Sequence, residues 1–251
     1  MRKFIAMASI LFLVCDFAPR ARAEDDKGAA GIVDKGIEAL GGKEKLAGVK
    51  AVTWQGKGKI FIQDSENEFH SKLVAEGLDR FRGEFEGKFN GDEIKGVTIL
   101  DGDKGWRQFG EPSELDKESL ANEKRNAYLQ LIPALLVPLK EKEFKLEPAG
   151  QQKVNDKPAV AVKVTPADGK EFTIFFDKDS GLPVRLVAKV IGWAGDEFTQ
   201  ETTYADFKDF DGIKKATKIV AKRDGEKFVE YQVTEFKTLD KAPQKSFDKP
   251  E

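Results

Sequence analysis

The sequence predicts a mainly β domain with two helices, in which about ten or eleven strands form one antiparallel sheet. Three observations lead to this fold class. Beyond residue 51, apolar side chains recur at every second position in short segments, which is the period of a strand with one buried face. Turn residues such as Asp-Gly separate most of these segments, as expected for an antiparallel meander. Apolar residues at helical spacing occur before the strands, over 25–40, and again within them, over 113–136.

The N-terminus has the three parts of a cleaved signal peptide. Arg2 and Lys3 precede an apolar run over 4–14, and the Ala-Arg-Ala sequence at 21–23 fits the small-residue cleavage site. We therefore expect residues 1–23 to be removed after Ala23 and the mature protein to be exported to the periplasm.

Two other uses of this segment stay open, and the rest of the chain is expected to be one domain. An uncleaved membrane anchor would need about 18 apolar residues, more than the run provides. A lipoprotein signal at Cys15 would prefer a small residue where Val14 stands. Residues 24–251 show no break in composition, so they predict one domain without a further transmembrane segment. Cys15 is the only cysteine, which excludes disulfides and thiol chemistry from that domain.

Charge and aromatic content narrow the function classes. The formal net charge is -2, and no basic half or stripe is present, which argues against nucleic acid and anionic membranes as partners. The chain has 19 Phe and only 3 Tyr. Phe brings apolar area without a polar group, so this bias indicates a hydrophobic interior rather than a hydrated recognition surface.

The first strands present one apolar face. Trp54 and Ile60 share a face of the strand over 52–62, with glycines at 56 and 58 between them. Paired glycines within a strand predict a bend, as in a strongly curved sheet. A later strand repeats the pattern, with Phe81, Phe85 and Phe89 on one face and charged residues on the other.

A helix inserted between strands is expected to cover this sheet. Ser113 is a plausible N-cap for it, and Leu131 and Leu135 lie on its apolar side. Two prolines in its last part are expected to kink or end it. Further segments of strand character lie near 68–76, 97–100, 106–109, 144–147, 159–164, 170–177, 184–190, 197–204, 217–221 and 228–236, and most of them are expected to form the remaining strands.

The polar residues give little support for catalysis. His70 is the only histidine, and it alternates onto a charged face, so it should point to solvent rather than form a triad or a metal site. Glu84 and Glu86 could be an acid and base pair, but Arg80 and Arg82 share their face, which favours a ladder of opposite charges. Three Asp-rich turns lack the spacing of a calcium loop and are predicted to be hairpin turns. No catalytic residue, metal or cofactor is expected.

The apolar surface is the remaining candidate for function. The helix and the sheet either pack as an ordinary core, or leave a cavity under a movable lid because glycines curve the sheet. An acyl chain gains about 0.8 kcal/mol per buried CH2, so such a cavity would bind lipid with few polar contacts. The residues that we predict to line it are Trp54, Ile60, Phe81, Phe85 and Phe89 of the sheet and Leu131 and Leu135 of the lid.

A series of short motifs runs through the whole domain. They are Leu40-Gly41-Gly42 with Leu46, Asp101-Gly102 through Gly105-Trp106, Phe176-Asp177 with Ser180-Gly181-Leu182-Pro183-Val184, Tyr204-Ala205-Asp206-Phe207, Asp211-Gly212-Ile213, Thr217-Lys218-Ile219 and Phe247-Asp248-Lys249-Pro250. Their order resembles the LolA/LolB-like superfamily of bacterial outer-membrane lipoprotein-sorting proteins and their secreted relatives. One departure is Lys214-Lys215-Ala216, which stands where that family often has proline.

The resemblance implies an incomplete, strongly curved antiparallel β-barrel whose open side is closed by helices. It also implies a hydrophobic cavity that carries acyl chains across the periplasm. The preferred hypothesis is therefore a non-enzymatic binder or carrier of lipid or lipoprotein acyl chains. The alternative is a structural or envelope-stress sensing protein that acts through a protein partner and has no lipid cargo.

Overall fold

A single antiparallel sheet dominates the computed structural model, which describes residues 28–62, 65–89, 91–192 and 195–251. Within these ranges the sheet has 13 strands in the order β6-β5-β4-β3-β2-β1-β13-β12-β11-β10-β9-β8-β7. The expected mainly β fold class is confirmed, with more strands than the sequence predicted. The expected signal peptide at 1–23 lies outside the described residues.

The strands follow the chain as neighbours joined by short turns, apart from one long connection. In chain order they are β1 (Ala51–Ile62), β2 (Ser65–Glu76), β3 (Arg80–Phe89), β4 (Asp92–Asp101), β5 (Lys104–Phe109), β6 (Glu111–Glu114), β7 (Lys145–Val154), β8 (Lys157–Thr165), β9 (Phe172–Asp177), β10 (Pro183–Ile191), β11 (Glu197–Phe210), β12 (Ile213–Arg223) and β13 (Glu226–Leu239). The Asp-rich turns predicted at 101–103, 177–179 and 209–211 lie where consecutive strands meet, as expected for hairpins.

The topology leaves the sheet open along one side. The chain moves from β1 to one edge at β6, crosses to the other edge at β7, and returns to β13. β13 then pairs with β1, so the two halves of the meander form one continuous sheet. The long connection between β6 and β7 therefore spans the gap that keeps the barrel incomplete.

Three helices accompany the sheet in the described ranges: α1 (Ala29–Leu40), α2 (Lys43–Ala47) and α3 (Lys117–Leu135). α3 forms the long connection and is the predicted lid. Its N-cap is Asp116, whose side chain accepts a hydrogen bond from the Ser119 N–H at 2.8 Å. The expected N-cap Ser113 is wrong, because that segment extends the sheet edge as β6. No helix in the described ranges is long and apolar enough to cross a membrane.

The main core lies between the helices and one face of the sheet, which we call the inner face. α3 continues through Pro133 for only two more residues, and a short 3-10 turn (Val137–Lys140) follows. The side chains that the helices bury against the sheet include Val33, Ile37, Leu40, Leu46, Leu131, Ile132 and Leu136. These contacts hold all three helices on the inner face.

A second, smaller core lies on the opposite, outer face. Val74 and Ile99 point outward from β2 and β4, and the segment after β13 covers them with Ala242 and Phe247. The guanidinium of Arg80 lies 4.5 Å from the centre of the Phe247 ring. The C-terminal segment is therefore a structural part of the domain, because it buries apolar surface that would otherwise face solvent.

The rest of the outer face near β3 carries the predicted ladder of charges. Arg82 pairs with Glu84 at 2.6 Å, and Glu86 pairs with Lys95 at 2.9 Å. His70 is exposed on the same face, as predicted. These side chains form a solvated mixed-charge surface, as the predicted ladder of opposite charges requires.

Candidate functional site

The inner face continues as an aromatic surface beyond the main core. We call Phe69, Phe85, Phe89 and Tyr231 the aromatic floor, because their rings form one row across β2, β3 and β13. The ring of Phe69 lies 5.4 Å from that of Phe85 and 5.7 Å from that of Tyr231, both stacked. Phe85 continues the row to Phe89, with 5.7 Å between ring centres. The floor is thus one contiguous apolar surface built from three strands.

Glycines on neighbouring strands give the rings their space. A Cβ added at Gly56 would lie 2.6 Å from the Tyr231 ring, and one at Gly58 would lie 2.9 Å from the Phe69 ring. Both distances are shorter than real carbon contacts allow, so only glycine lets these rings lie against the sheet. The sheet also has a register shift between Gln55 and Gly56, where the sequence predicted a bend. The predicted glycine pair therefore bends the strand and makes room for the aromatic floor.

Exposure increases across the floor toward the β4 and β5 side. Phe69 is only 7% exposed, Phe85 and Phe89 are half-buried, and Ile94 on β4 is 38% exposed. Large apolar side chains are normally buried, so a contiguous row that opens to solvent is a candidate binding surface.

The seven predicted lining residues fall into two groups. Trp54, Phe81 and Leu131 belong to the main core under the helices, and Leu135 packs partly against that core. The other three, Ile60, Phe85 and Phe89, lie on the inner face outside that core. All five sheet residues share one face, as predicted. Their contact with a ligand remains a prediction, and the group under the helices needs a separation of helix from sheet to reach one.

Arg125 anchors α3 to the far half of the sheet. Its side chain is only 4% exposed, and it donates hydrogen bonds to the main-chain oxygens of Lys170 at 2.7 Å, Lys189 at 3.0 Å and Glu171 at 3.1 Å. These oxygens belong to β10 and to the segment that leads into β9. A buried guanidinium is tolerated there because it has acceptors in several directions. One side chain therefore fixes the lid to two neighbouring parts of the sheet.

Tyr128 completes this anchor. Its hydroxyl accepts a hydrogen bond from Arg125 at 2.5 Å and donates one to Asp168 Oδ2 at 3.3 Å. Its ring packs at a tilt on Phe172, with 6.1 Å between centres. Burial raises the pKa of Tyr128 to about 12, so the hydroxyl keeps its proton and remains a donor at neutral pH.

The N-terminal part of α3 is tied to the opposite half of the sheet. Arg107 of β5 forms an ion pair and hydrogen bond with Glu123. Lys124 lies 3.5 Å from Asp103 in the turn before β5. α3 therefore joins both halves of the open sheet through polar contacts, while its apolar side packs on the core.

The role of Arg125 as an anchor was not predicted from the sequence. A signal was present, because Arg125 stands three residues before Tyr128 and four before Leu129, on the apolar side of the helix. A charged residue at such a position needs buried partners. Its partners lie in β10 and in the segment that leads into β9, however, and no local pattern could have identified them.

Solved structures of other proteins share the architecture of this chain. No protein-family model and no curated protein matches the chain. Protein NE2245 of the LolA superfamily from Nitrosomonas europaea matches at TM-score 0.58 and 11% identity, covering 88% of this chain and 98% of that one. A DUF1329 family protein from Desulfovibrio piger matches at TM-score 0.57 and 12% identity, covering 88% and 97%. A domain assigned to outer membrane lipoprotein-sorting proteins from Vibrio parahaemolyticus matches at 0.52 and 12%, covering 86% and 97%. At these identities the likeness concerns architecture alone, and the architecture of this protein is the LolA-like fold.

Proposed function

We propose that this protein binds acyl chains of lipids or lipoproteins on the inner face of its sheet and carries them without catalysing a reaction. One observation carries the proposal: the apolar inner face extends from the core under α3 to the aromatic floor outside it. The LolA-like fold supports it, since structures with this fold include a lipoprotein-sorting domain. The signal-peptide pattern of the N-terminus supports a periplasmic site of action.

The aromatic floor suits an acyl chain energetically. Each methylene removed from water contributes about 0.8 kcal/mol, so eight methylenes on the floor would contribute about 6 kcal/mol. Loss of translational and conformational freedom offsets part of this gain. The outer face near β3 is less apolar, because charged side chains such as the Arg82–Glu84 and Glu86–Lys95 pairs lie there. An acyl chain is therefore expected to choose the inner face.

Acyl chains longer than the aromatic floor would require movement of α3. Trp54, Phe81 and Leu131 become accessible only when the helix separates from the sheet, because each is at most 7% exposed. Arg125 and Arg107 hold α3 at two places, and both contacts are polar. We infer that these contacts set how readily the lid opens. When it opens, a long acyl chain extends from the aromatic floor toward Trp54.

The test compares the same substitution on the two faces of the sheet. Phe85→Asp places a charge on the aromatic floor, whereas Phe61→Asp places one on the outer face of β1, where Phe61 is half-buried near Lys227. We expect Phe85→Asp to weaken binding of a fluorescent fatty acid at least about tenfold, with Phe61→Asp close to wild type. Circular dichroism checks that both variants fold. Equal effects of the two variants would contradict an inner-face site.

A function without lipid is the second candidate, and the packing of the core favours it. Leu131, Ile132 and Leu136 are fully buried between helix and sheet. A domain with this core could act through a protein partner instead. Mass spectrometry of lipids that copurify with the protein separates the two functions. Stoichiometric acyl ligand supports the carrier, while a stable protein partner without lipid supports the alternative.

A further inference from the structure

Lys215 is the one buried lysine in the described part of the chain. Lys215 lies on β12 and is 4% exposed. Ile213, two residues earlier on the strand, belongs to the main core, and the Lys215 side chain reaches the ring of Trp54, so Lys215 points to the inner face. In the sequence, Lys215 stands out only as part of a departure from a family motif. The structure adds that this departure places an ammonium group against the Trp54 ring of the main core.

The ammonium of Lys215 has an aromatic ring as its neighbour and no counter-charge among the residues that the structure describes. Its Nζ lies 4.4 Å from the centre of the Trp54 ring, which is a cation–π contact. Among residues of the described ranges, no ion pair or hydrogen bond of Lys215 accompanies that contact. Arg125 is equally buried but has three main-chain acceptors. Lys215 is therefore a buried cation without a protein acceptor among the described residues.

Burial without an acceptor has a measurable consequence. Desolvation lowers the pKa of Lys215 from 10.5 to about 8. The side chain therefore stays mostly protonated at neutral pH, although its charge is poorly compensated. Buried charges are normally paired, and a buried unpaired one is a candidate for a functional group.

The position of Lys215 matches the path proposed for an acyl chain. Its contact residue Trp54 lies four residues before Gly58, over which the Phe69 ring of the aromatic floor is placed. Four residues of an extended strand span about 13 Å. A ligand with one end at Lys215 and an apolar body on the floor would thus follow β1 along the inner face.

We propose that Lys215 binds the anionic head group of an amphiphile, a carboxylate or a phosphate, whose acyl chain lies along the inner face. The inference rests on the proposed function and specifies its ligand class. A neutral acyl ligand would leave the ammonium as it is. An anionic head group would supply both the missing charge and hydrogen-bond acceptors in a poorly hydrated site, where such pairs are strong.

The test uses pairs of probes that differ only in the charge of the head group. Oleate is compared with oleyl alcohol, and 1-oleoyl lysophosphatidate with 1-oleoylglycerol, by titration calorimetry at pH 7. The variants are Lys215→Met and the control Lys218→Met, which changes an exposed lysine of the same strand. Circular dichroism establishes that both variants are folded.

We expect wild type and Lys218→Met to prefer the anionic member of at least one pair by about tenfold or more, a typical effect of a charged hydrogen bond. Lys215→Met should bind both members of that pair equally. A preference within the oleate pair alone identifies a carboxylate, and one within the lysophosphatidate pair alone identifies a phosphate. Binding of all four probes without preference, or a preference that survives in Lys215→Met, overturns this inference and leaves the proposed function standing. Binding of none removes the proposed function as well.

Discussion

Replacing Lys215 by Met should stabilise the protein at neutral pH. The folded pKa of about 8 lies below the ordinary value of 10.5. The folded state therefore binds this proton less tightly than the unfolded state, and the protonated side chain opposes folding. With 1.36 kcal/mol per pKa unit, the cost at pH 7 is about 3 kcal/mol. Met fills a similar volume without a charge and removes this cost.

The stability difference between Lys215→Met and wild type should decrease as pH rises. Between pH 8 and 10.5 the unfolded state retains the proton that the folded state has lost, so wild type gains stability as pH rises. The advantage of Lys215→Met should fall from about 3 kcal/mol at pH 7 to about 1 kcal/mol at pH 10. Urea unfolding at both pH values measures the difference, because other titrating groups cancel between the two proteins.

Lys218→Met is the matched control, since Lys218 is exposed on the other face of the same strand. Its effect on the free energy of unfolding should be small and independent of pH. The reasoning is refuted if Lys215→Met destabilises the protein at pH 7, or if its effect is the same at pH 7 and pH 10. Either result would mean that Lys215 is solvated or paired in solution.

Three further changes test other parts of the structure. Arg125→Lys cannot reach three main-chain oxygens at once, so it should lower the free energy of unfolding by about 2 kcal/mol and speed hydrogen exchange in α3, measured by mass spectrometry. Faster hydrogen exchange confined to elements other than α3 would contradict the role of Arg125 as the anchor of that helix. Gly58→Ala should cost about 2 kcal/mol or more in urea unfolding, because its Cβ would lie 2.2 Å from the main-chain oxygen of Glu230. An unchanged midpoint would show that the strands have room to separate. Phe247→Ala should cost about 3 kcal/mol through loss of the outer core while leaving fatty-acid affinity unchanged, and a parallel loss of affinity would contradict the separation of the two faces.

The sheet and the aromatic floor follow from local patterns. Phe81, Phe85 and Phe89 alternate with charged residues, and a period of two assigns them to one face whatever their partners are. The glycines of β1 predicted curvature, because paired glycines within a strand favour a bend. Local patterns were less reliable for the start of α3, where a strand and a helix follow each other closely. Ser113 is a good N-cap by type, but its segment pairs with β5, and Asp116 caps the helix instead.

Contacts between distant parts of the chain could not be predicted. The C-terminal segment has no periodic pattern, so its packing of Phe247 on the outer face follows only from the folded structure. Arg125 and Lys215 are single charged residues on apolar faces. The sequence shows each as an exception, but it does not show that Arg125 meets three carbonyl oxygens while Lys215 meets a tryptophan ring.

The inner-face site can be tested most directly with a fatty acid that carries bromine on its chain and quenches nearby tryptophan. The chain has 3 Trp, of which Trp54 lies on the inner face and Trp106 packs against the outer core. Variants that keep only one of these two, with the other tryptophans changed to Phe, report each face separately. Saturable quenching of Trp54 without quenching of Trp106 is the predicted result. Quenching of Trp106 alone, or of neither, would contradict an acyl chain on the inner face.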